Sequence, residues 1–195
     1  MKICLVTHTI PRYYGDPAAP FIDALASALA DAGHKVTVLA PFSQKVDRNF
    51  KRNYKFITYK YIFPASLHKL GYSETLKGDR SMSFLAYLLS PFLYLFGFIA
   101  LLRLVKKENI DVISAHWAVP NGFITALVSI ITKVPFTITI PGSDMYMGEK
   151  NFFFRWMVGV AAKHASFVIS DSPFYLGQLA HLGFKPKKSM VIRYG

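Results

Sequence analysis

The sequence predicts an α/β fold, a Rossmann-like, doubly wound parallel sheet of six or seven strands. Two observations carry that reading. Short apolar or β-branched runs bounded by turn residues recur along the chain, and segments of helical periodicity stand between them. Strand and helix taking turns over such a length imply parallel strands with helices on both faces. The 195 residues suit one domain able to bury a sizeable core, and 52% hydrophobic against 17% charged residues excludes disorder.

Residues 2–7 are an apolar run and form the first strand. A loop follows over 8–19, with Pro11, Gly15 and Pro17. From Pro20 the pattern turns helical: Phe21, Leu25 and Leu29 fall on one face, Asp23, Ser27 and Asp31 on another, and Gly33 suits the C-terminal cap. Residues 36–40 are a second strand ended by Pro41, and the basic stretch 43–55 is an exposed loop. Residues 56–62, rich in Tyr and Lys, are a strand near a sheet edge. Strands are then expected at 110–115, 135–140, 166–170 and 190–193, with helices at 122–133, 152–163 and 173–182. No repeat or low-complexity tract interrupts the series.

Between the third and fourth strands, residues 84–102 carry no charge, which is close to the ~20 residues of a bilayer-spanning helix. Arg80 precedes the segment, and Arg103, Lys106 and Lys107 follow it. A span would put the flanking strands in different compartments, and Pro91 and Gly97 weaken a straight one. A helix apolar all round here would need a cover for its outer face, with Phe92, Leu95 and Phe96: membrane, another domain or a second copy.

A formal charge of +12 calls for an anionic partner. Zinc-finger spacing, RNP-like motifs and arginine-rich tracts are all missing, so nucleic acid is disfavoured. Basic residues beside apolar surface suit anionic lipid better, with a phosphorylated or acidic substrate and a merely solvated basic face as the other readings. The single cysteine, Cys4, allows no internal disulfide and reads as a small core residue. The opening apolar run is too short for a signal peptide, which places the protein in the cytoplasm.

Cofactor fingerprints are absent too. The loop after the first strand reads His8-Thr9-Ile10-Pro11-Arg12-Tyr13-Tyr14-Gly15, without the glycine spacing of a dinucleotide site, and no Walker A loop or nucleophile elbow occurs. The six histidines are scattered, so no metal is expected. In a sheet of this kind ligands sit beyond the carboxyl ends of the strands. That rule selects the loops 8–19, 116–121 and 141–150, which hold His8, Gly15, Asp16, His116, Trp117, Gly142, Ser143 and Asp144. The alternative is that the glycines there serve only the turns.

Four stretches, in order, carry a resemblance: Tyr14-Gly15-Asp16 through Phe21; Ala32-Gly33-His34-Lys35-Val36 through Pro41; Asp111-Val112-Ile113-Ser114-Ala115-His116-Trp117 with Pro120-Asn121-Gly122; and Gly142-Ser143-Asp144. Ser170 to Ser172 and the closing Val191-Ile192-Arg193-Tyr194-Gly195 also fit. The chain resembles the N-terminal domain of family 4 glycosyltransferases, retaining enzymes of GT-B fold. The resemblance implies that residues 1–195 are the acceptor-side half, with a C-terminal nucleotide-sugar-binding domain outside this chain. The parent would move a sugar from a nucleotide-diphosphate donor to a glycan or lipid-linked acceptor in cell-surface polysaccharide or glycolipid synthesis, and the half alone would be inactive.

By that resemblance Gly15 and Asp16 form the donor-diphosphate loop, and His116, Trp117, Asn121, Gly142, Ser143 and Asp144 line the acceptor side. Trp117 would stack on a sugar or pack at the sheet rim; Asp144 would bind acceptor hydroxyls or cap its helix. The nucleotide sugar is a co-substrate, and no cofactor is implied. The chain departs from the family at Ser114 and Pro141, where relatives carry histidine. Proline offers no side-chain donor, so His116 or backbone groups compensate, or the protein is a weakened or non-catalytic relative. No catalytic residue is assigned. The remaining expectation is peripheral docking on the anionic inner face of the cytoplasmic membrane, the alternative function being a non-catalytic, membrane-docked binding module.

Overall fold

The computed structural model describes residues 1–72 and 84–193. Arg80 and the closing Tyr194-Gly195 lie outside the described residues. The chain divides into two units, Met1–Ile110 and Asp111–Gly195. Together they hold seven parallel strands with intervening helices, the α/β, Rossmann-like class expected.

In the first unit β1 (Lys2–Val6), β2 (Lys35–Pro41) and β3 (Lys55–Tyr59) are ordered β3-β2-β1, with Cys4 beside Thr37 and Val38 beside Phe56. Strands β1 and β2 are buried almost end to end, which is why they read as continuous apolar runs. Helix α1 (Pro20–Asp31) has Pro in its first turn, and Gly33 leaves it at φ 85°, a left-handed geometry that glycine adopts without a Cβ penalty. Strand β3 is shorter than the expected 56–62 and has an exposed start, where Lys55 pairs with Glu108 at 2.8 Å.

Helix α2 (Phe84–Glu108) keeps Pro91 inside it and extends past the uncharged segment to Glu108. Leu89, Leu93, Gly97, Leu101 and Val105 recur every four residues on its buried side, and the helix packs on β2 and β3. Its opposite side stays open, with Phe92, Leu95 and Phe96 exposed beside Tyr87 and Leu88.

The second unit places β4 (Val112–His116), β5 (Phe136–Ile140), β6 (Phe167–Ser170) and β7 (Ser189–Val191) in the order β4-β5-β6-β7. Its helices are α3 (Phe123–Thr132), α4 (Ser143–Lys150), α5 (Phe152–His164) and α6 (Pro173–His181). Two boundaries differ from expectation. Residues 143–150 are helix rather than loop: Gly142 turns the chain at φ 114°, and Met145 and Gly148 then pack inward on successive turns. Asn151 separates α4 from α5, its side chain accepting from the Phe153 and Phe154 N–H groups as an N-cap. Strand β4 starts two residues later than expected and runs through His116, so the imidazole sits on the strand end and not in the loop.

Candidate functional site

In the first unit, the segment from His8 to α1 is tied down from within. Asp16 is buried and accepts hydrogen bonds from Arg12 N at 2.9 Å, Arg12 Nε at 2.6 Å and Ala18 N at 3.2 Å. Burial alone would raise the Asp16 pKa, but the Arg12 and Ala18 hydrogen bonds and the Arg12 charge together hold it below the usual carboxylate range. The β2–β3 connection adds two struts: Asp47 N–H donates to Arg12 O at 2.9 Å, and the Arg52 guanidinium donates to Pro11 O at 2.7 Å. Arg12 also lies over the Tyr72 ring, 4.7 Å from its centroid.

Asp16 is thereby committed to Arg12, and what the loop presents is Tyr13, Tyr14 and Gly15. Gly15 has φ 83°, and the space where a Cβ would stand is open. Glycine is needed there for its conformation, and its backbone is accessible to an approaching group. His8, at the start of the loop, has its pKa lowered to about 4 by burial.

In the second unit, β4 delivers His116 with its side chain buried and neither ring nitrogen hydrogen-bonded within the protein. Burial lowers its pKa to about 4, so at neutral pH the ring is uncharged and offers one N–H and one lone pair. The following turn is latched at several points. Trp117, at φ 69°, donates its N–H to Thr139 O at 2.9 Å and accepts from Gly122 N–H at 2.9 Å. Asn121 Nδ2 donates to His116 O at 2.6 Å.

Asp144, in the first turn of α4, accepts from Ala118 N–H at 2.7 Å. Its side chain is buried; desolvation raises its pKa to about 7 against the opposing pull of the Ala118 and Val119 N–H groups. Asp144 therefore serves as a strut between α4 and the 117–122 turn. Gly142 lies under the Tyr175 ring of α6, which a Cβ at position 142 would overlap. Ser143 is exposed at the helix start, and the departure residue Ser114 accepts from Thr137 Oγ1 at 3.3 Å.

The second unit thus brings His116, Trp117, Asn121, Gly142 and Asp144 to the carboxyl ends of β4 and β5, with Asn121 bonded to His116 and Asp144 to Ala118. Sequence reasoning missed Tyr175, Arg12 and Asn151. Only Asn151 had a local signal, an N-cap residue before an apolar run. Two further hollows, of about 540 Å³ beside β3 and about 640 Å³ beside α5, are lined by neither His116 nor Asp144. Among the described residues no group of three or more His, Cys, Asp or Glu is placed to hold a metal ion.

The sequence pattern of Glycosyltransferase Family 4 matches residues 18–195. The chain belongs to this family. Among curated proteins, none matches the chain. Solved structures match it in fold. Sucrose-phosphate synthase of Thermosynechococcus elongatus, as a fragment, has a TM-score of 0.67 at 15% identity, covering 100% of this chain and 90% of that one. The Anabaena protein HepE, in complex with UDP and glucose, gives 0.63 at 14%, covering 100% and 44%. A glycosyltransferase of Rickettsia africae gives 0.56 at 18%, covering 98% and 42%. The family 4 chain described here thus spans less than half the length of the last two proteins. At these identities the likeness is one of fold, with GT-B glycosyltransferases.

Proposed function

We propose that this family 4 chain is the acceptor-side domain of a glycosyltransferase, working with a second domain that binds the nucleotide sugar. The donor is a nucleotide-diphosphate sugar, and the acceptor a glycan or lipid-linked sugar of cell-surface polysaccharide or glycolipid synthesis. Family membership supports the reaction class, and the UDP and glucose held by the HepE structure support the donor class. The observation that carries the site is the His116 cluster: a buried, neutral, unpartnered imidazole at a strand end, beside a turn held rigid from two sides.

Among the described residues the ring makes no hydrogen bond, so its N–H and lone pair are left for an acceptor hydroxyl once local opening uncovers the buried nitrogens. Trp117 is half-buried and leaves part of its indole for a sugar face. In the first unit the open Gly15 backbone is the surface a diphosphate would approach. Pro141 favours one rival, a binding module that keeps the fold without turnover, because it supplies no side-chain donor.

The test is sugar transfer by the full-length protein with a panel of nucleotide sugars. Transfer is expected, and Gly15→Trp should reduce it at least about tenfold; Gly15→Ala, which shares the backbone strain at φ 83° without the bulk, should reduce it less if the indole acts by covering the loop backbone. Nucleotide-sugar binding without turnover would establish the binding module instead. No binding by the full-length protein would overturn both.

We also propose that the parent is cytoplasmic and docks peripherally on the inner face of the cytoplasmic membrane, with the exposed side of α2 inserted. The support is Phe92, Leu95 and Phe96, exposed together on a helix long and apolar enough to cross a bilayer but one-third buried in its own unit.

A further inference from the structure

Helix α5 carries a second exposed apolar surface, in the other unit. Phe152, Trp156, Val160 and Lys163 follow one another at helical spacing along a hollow of about 640 Å³, closed on its far side by Phe184 and Lys185. The floor is fixed, since the Phe184 ring lies on Gly159 and Arg155 donates to Leu182 O at 2.9 Å. The aromatics on this face stay largely in water, Phe152 at 77%, Phe153 at 70% and Trp156 at 51% exposed, although one edge of Trp156 lies against the Phe123 ring (centroids 5.2 Å apart) and Phe152 meets Phe153 edge to face (5.9 Å). Three large rings at least half exposed within two turns are more than folding of this unit requires, because the inward side of α5 is already satisfied by Val158, Ala161 and Ala162.

Charge says what covers it. No carboxylate lines the hollow, and among the described residues no ion pair involves Lys163 or Lys185. From position 151 to 193 the sole carboxylate is Asp171, against six lysines and arginines. Aromatics with cations beside them, and no acids, complement a surface that is apolar below and anionic above. Phe and Trp side chains enter the headgroup–acyl boundary, and Lys and Arg reach phosphates from it.

We propose that the α5 face is a membrane-docking surface for anionic phospholipid, additional to α2. The inference rests on the membrane reading given above. Phe152, Phe153 and Trp156 insert, and Arg155, Lys163 and Lys185 engage headgroup phosphates.

The experiment is co-sedimentation of the full-length protein with vesicles of phosphatidylglycerol mixed with phosphatidylcholine, and with phosphatidylcholine alone. Binding to the anionic vesicles should fall by about tenfold or more in Phe152→Ser/Phe153→Ser. In Lys163→Gln/Lys185→Gln it should fall by on the order of tenfold, a loss that shrinks at high salt. Both pairs are exposed, so melting profiles should match wild type. Brominated phosphatidylcholine, mixed with phosphatidylglycerol, should quench tryptophan emission, and Trp156→Phe should remove that component.

If the protein binds vesicles but the α5 variants bind equally well and Trp156 stays unquenched, this inference is wrong and docking through α2 stands. If the α5 variants lose binding while Phe92→Ser/Leu95→Ser/Phe96→Ser does not, the α2 reading fails and this one holds. Trp156 already shielded from acrylamide in the lipid-free protein would show the face covered by protein and overturn the proposal. Absence of binding to any vesicle at low salt overturns both.

Discussion

Asp144 and His116 are two buried titratable groups in one cluster, displaced from their ordinary pKa values in opposite directions. Each result follows from burial, which penalises whichever form is charged. Unfolded Asp144 loses its proton near 3.8, whereas in the fold it keeps it up to about pH 7. Across that window the folded chain binds the extra proton, so the Asp144 contribution to stability falls as pH rises. Unfolded His116 takes up a proton near 6.5, but the folded ring only near pH 4, so its contribution rises with pH between those values. From about pH 4 to 6.5 the two slopes oppose each other, and above that Asp144 alone remains. Asp144→Asn removes one of them. It keeps an oxygen for the Ala118 N–H, so its stability relative to wild type should climb steadily from pH 4 to 7, as read by Tm against pH. A difference independent of pH would mean that Asp144 is not held protonated.

At the scale of elements, the start of α4 depends on a residue from another helix. Gly142 has φ 114° and the Tyr175 ring of α6 on top of it, so Gly142→Ala meets both a backbone strain and an overlap. The expected loss is about 2–4 kcal/mol. Tyr175→Ala in the same chain should restore only the part due to overlap, since the φ remains, and a double-mutant comparison of melting separates the two. Full additivity of the single losses would show that the ring does not constrain position 142.

The same dependence explains what the sequence concealed. Strands β1, β2 and β5 were legible because nearly complete burial leaves short runs of apolar and β-branched residues. Helix α4 was not. Ser143-Asp144-Met145-Tyr146-Met147-Gly148 is short and weakly patterned, and its start is set by Gly142, Tyr175 and a bond from Ala118 that are distant in sequence. In the candidate site, Gly15, His116 and Gly142 could be picked out as strand-end positions. The commitments of Asp16 to Arg12 and of Asp144 to Ala118 could not, because a carboxylate before a helix reads equally as ligand group, cap or strut.

For the whole molecule the governing quantities are the net charge of +12 and the apolar side chains left in water. Neither serves the fold. In α2 the buried stripe already holds the helix on β2 and β3, yet Leu88, Phe92, Leu95 and Phe96 are 58%, 45%, 53% and 40% exposed. Moving a half-exposed Phe or Leu out of water gains on the order of 1 kcal/mol, and each cation at an anionic surface adds roughly as much again. On the membrane reading proposed above, a handful of such contacts would give reversible attachment without a span. The full-length protein should therefore prefer anionic to neutral vesicles and lose affinity as salt shortens the Debye length. Phe92→Ser/Leu95→Ser/Phe96→Ser should weaken its partitioning about tenfold or more. The three side chains are about half-buried, so melting should also shift downward, and binding is compared well below both transitions so that the loss is assigned to lipid contact. Indifference of wild type to anionic vesicles at low salt would mean that protein, and not lipid, covers the outer side of α2.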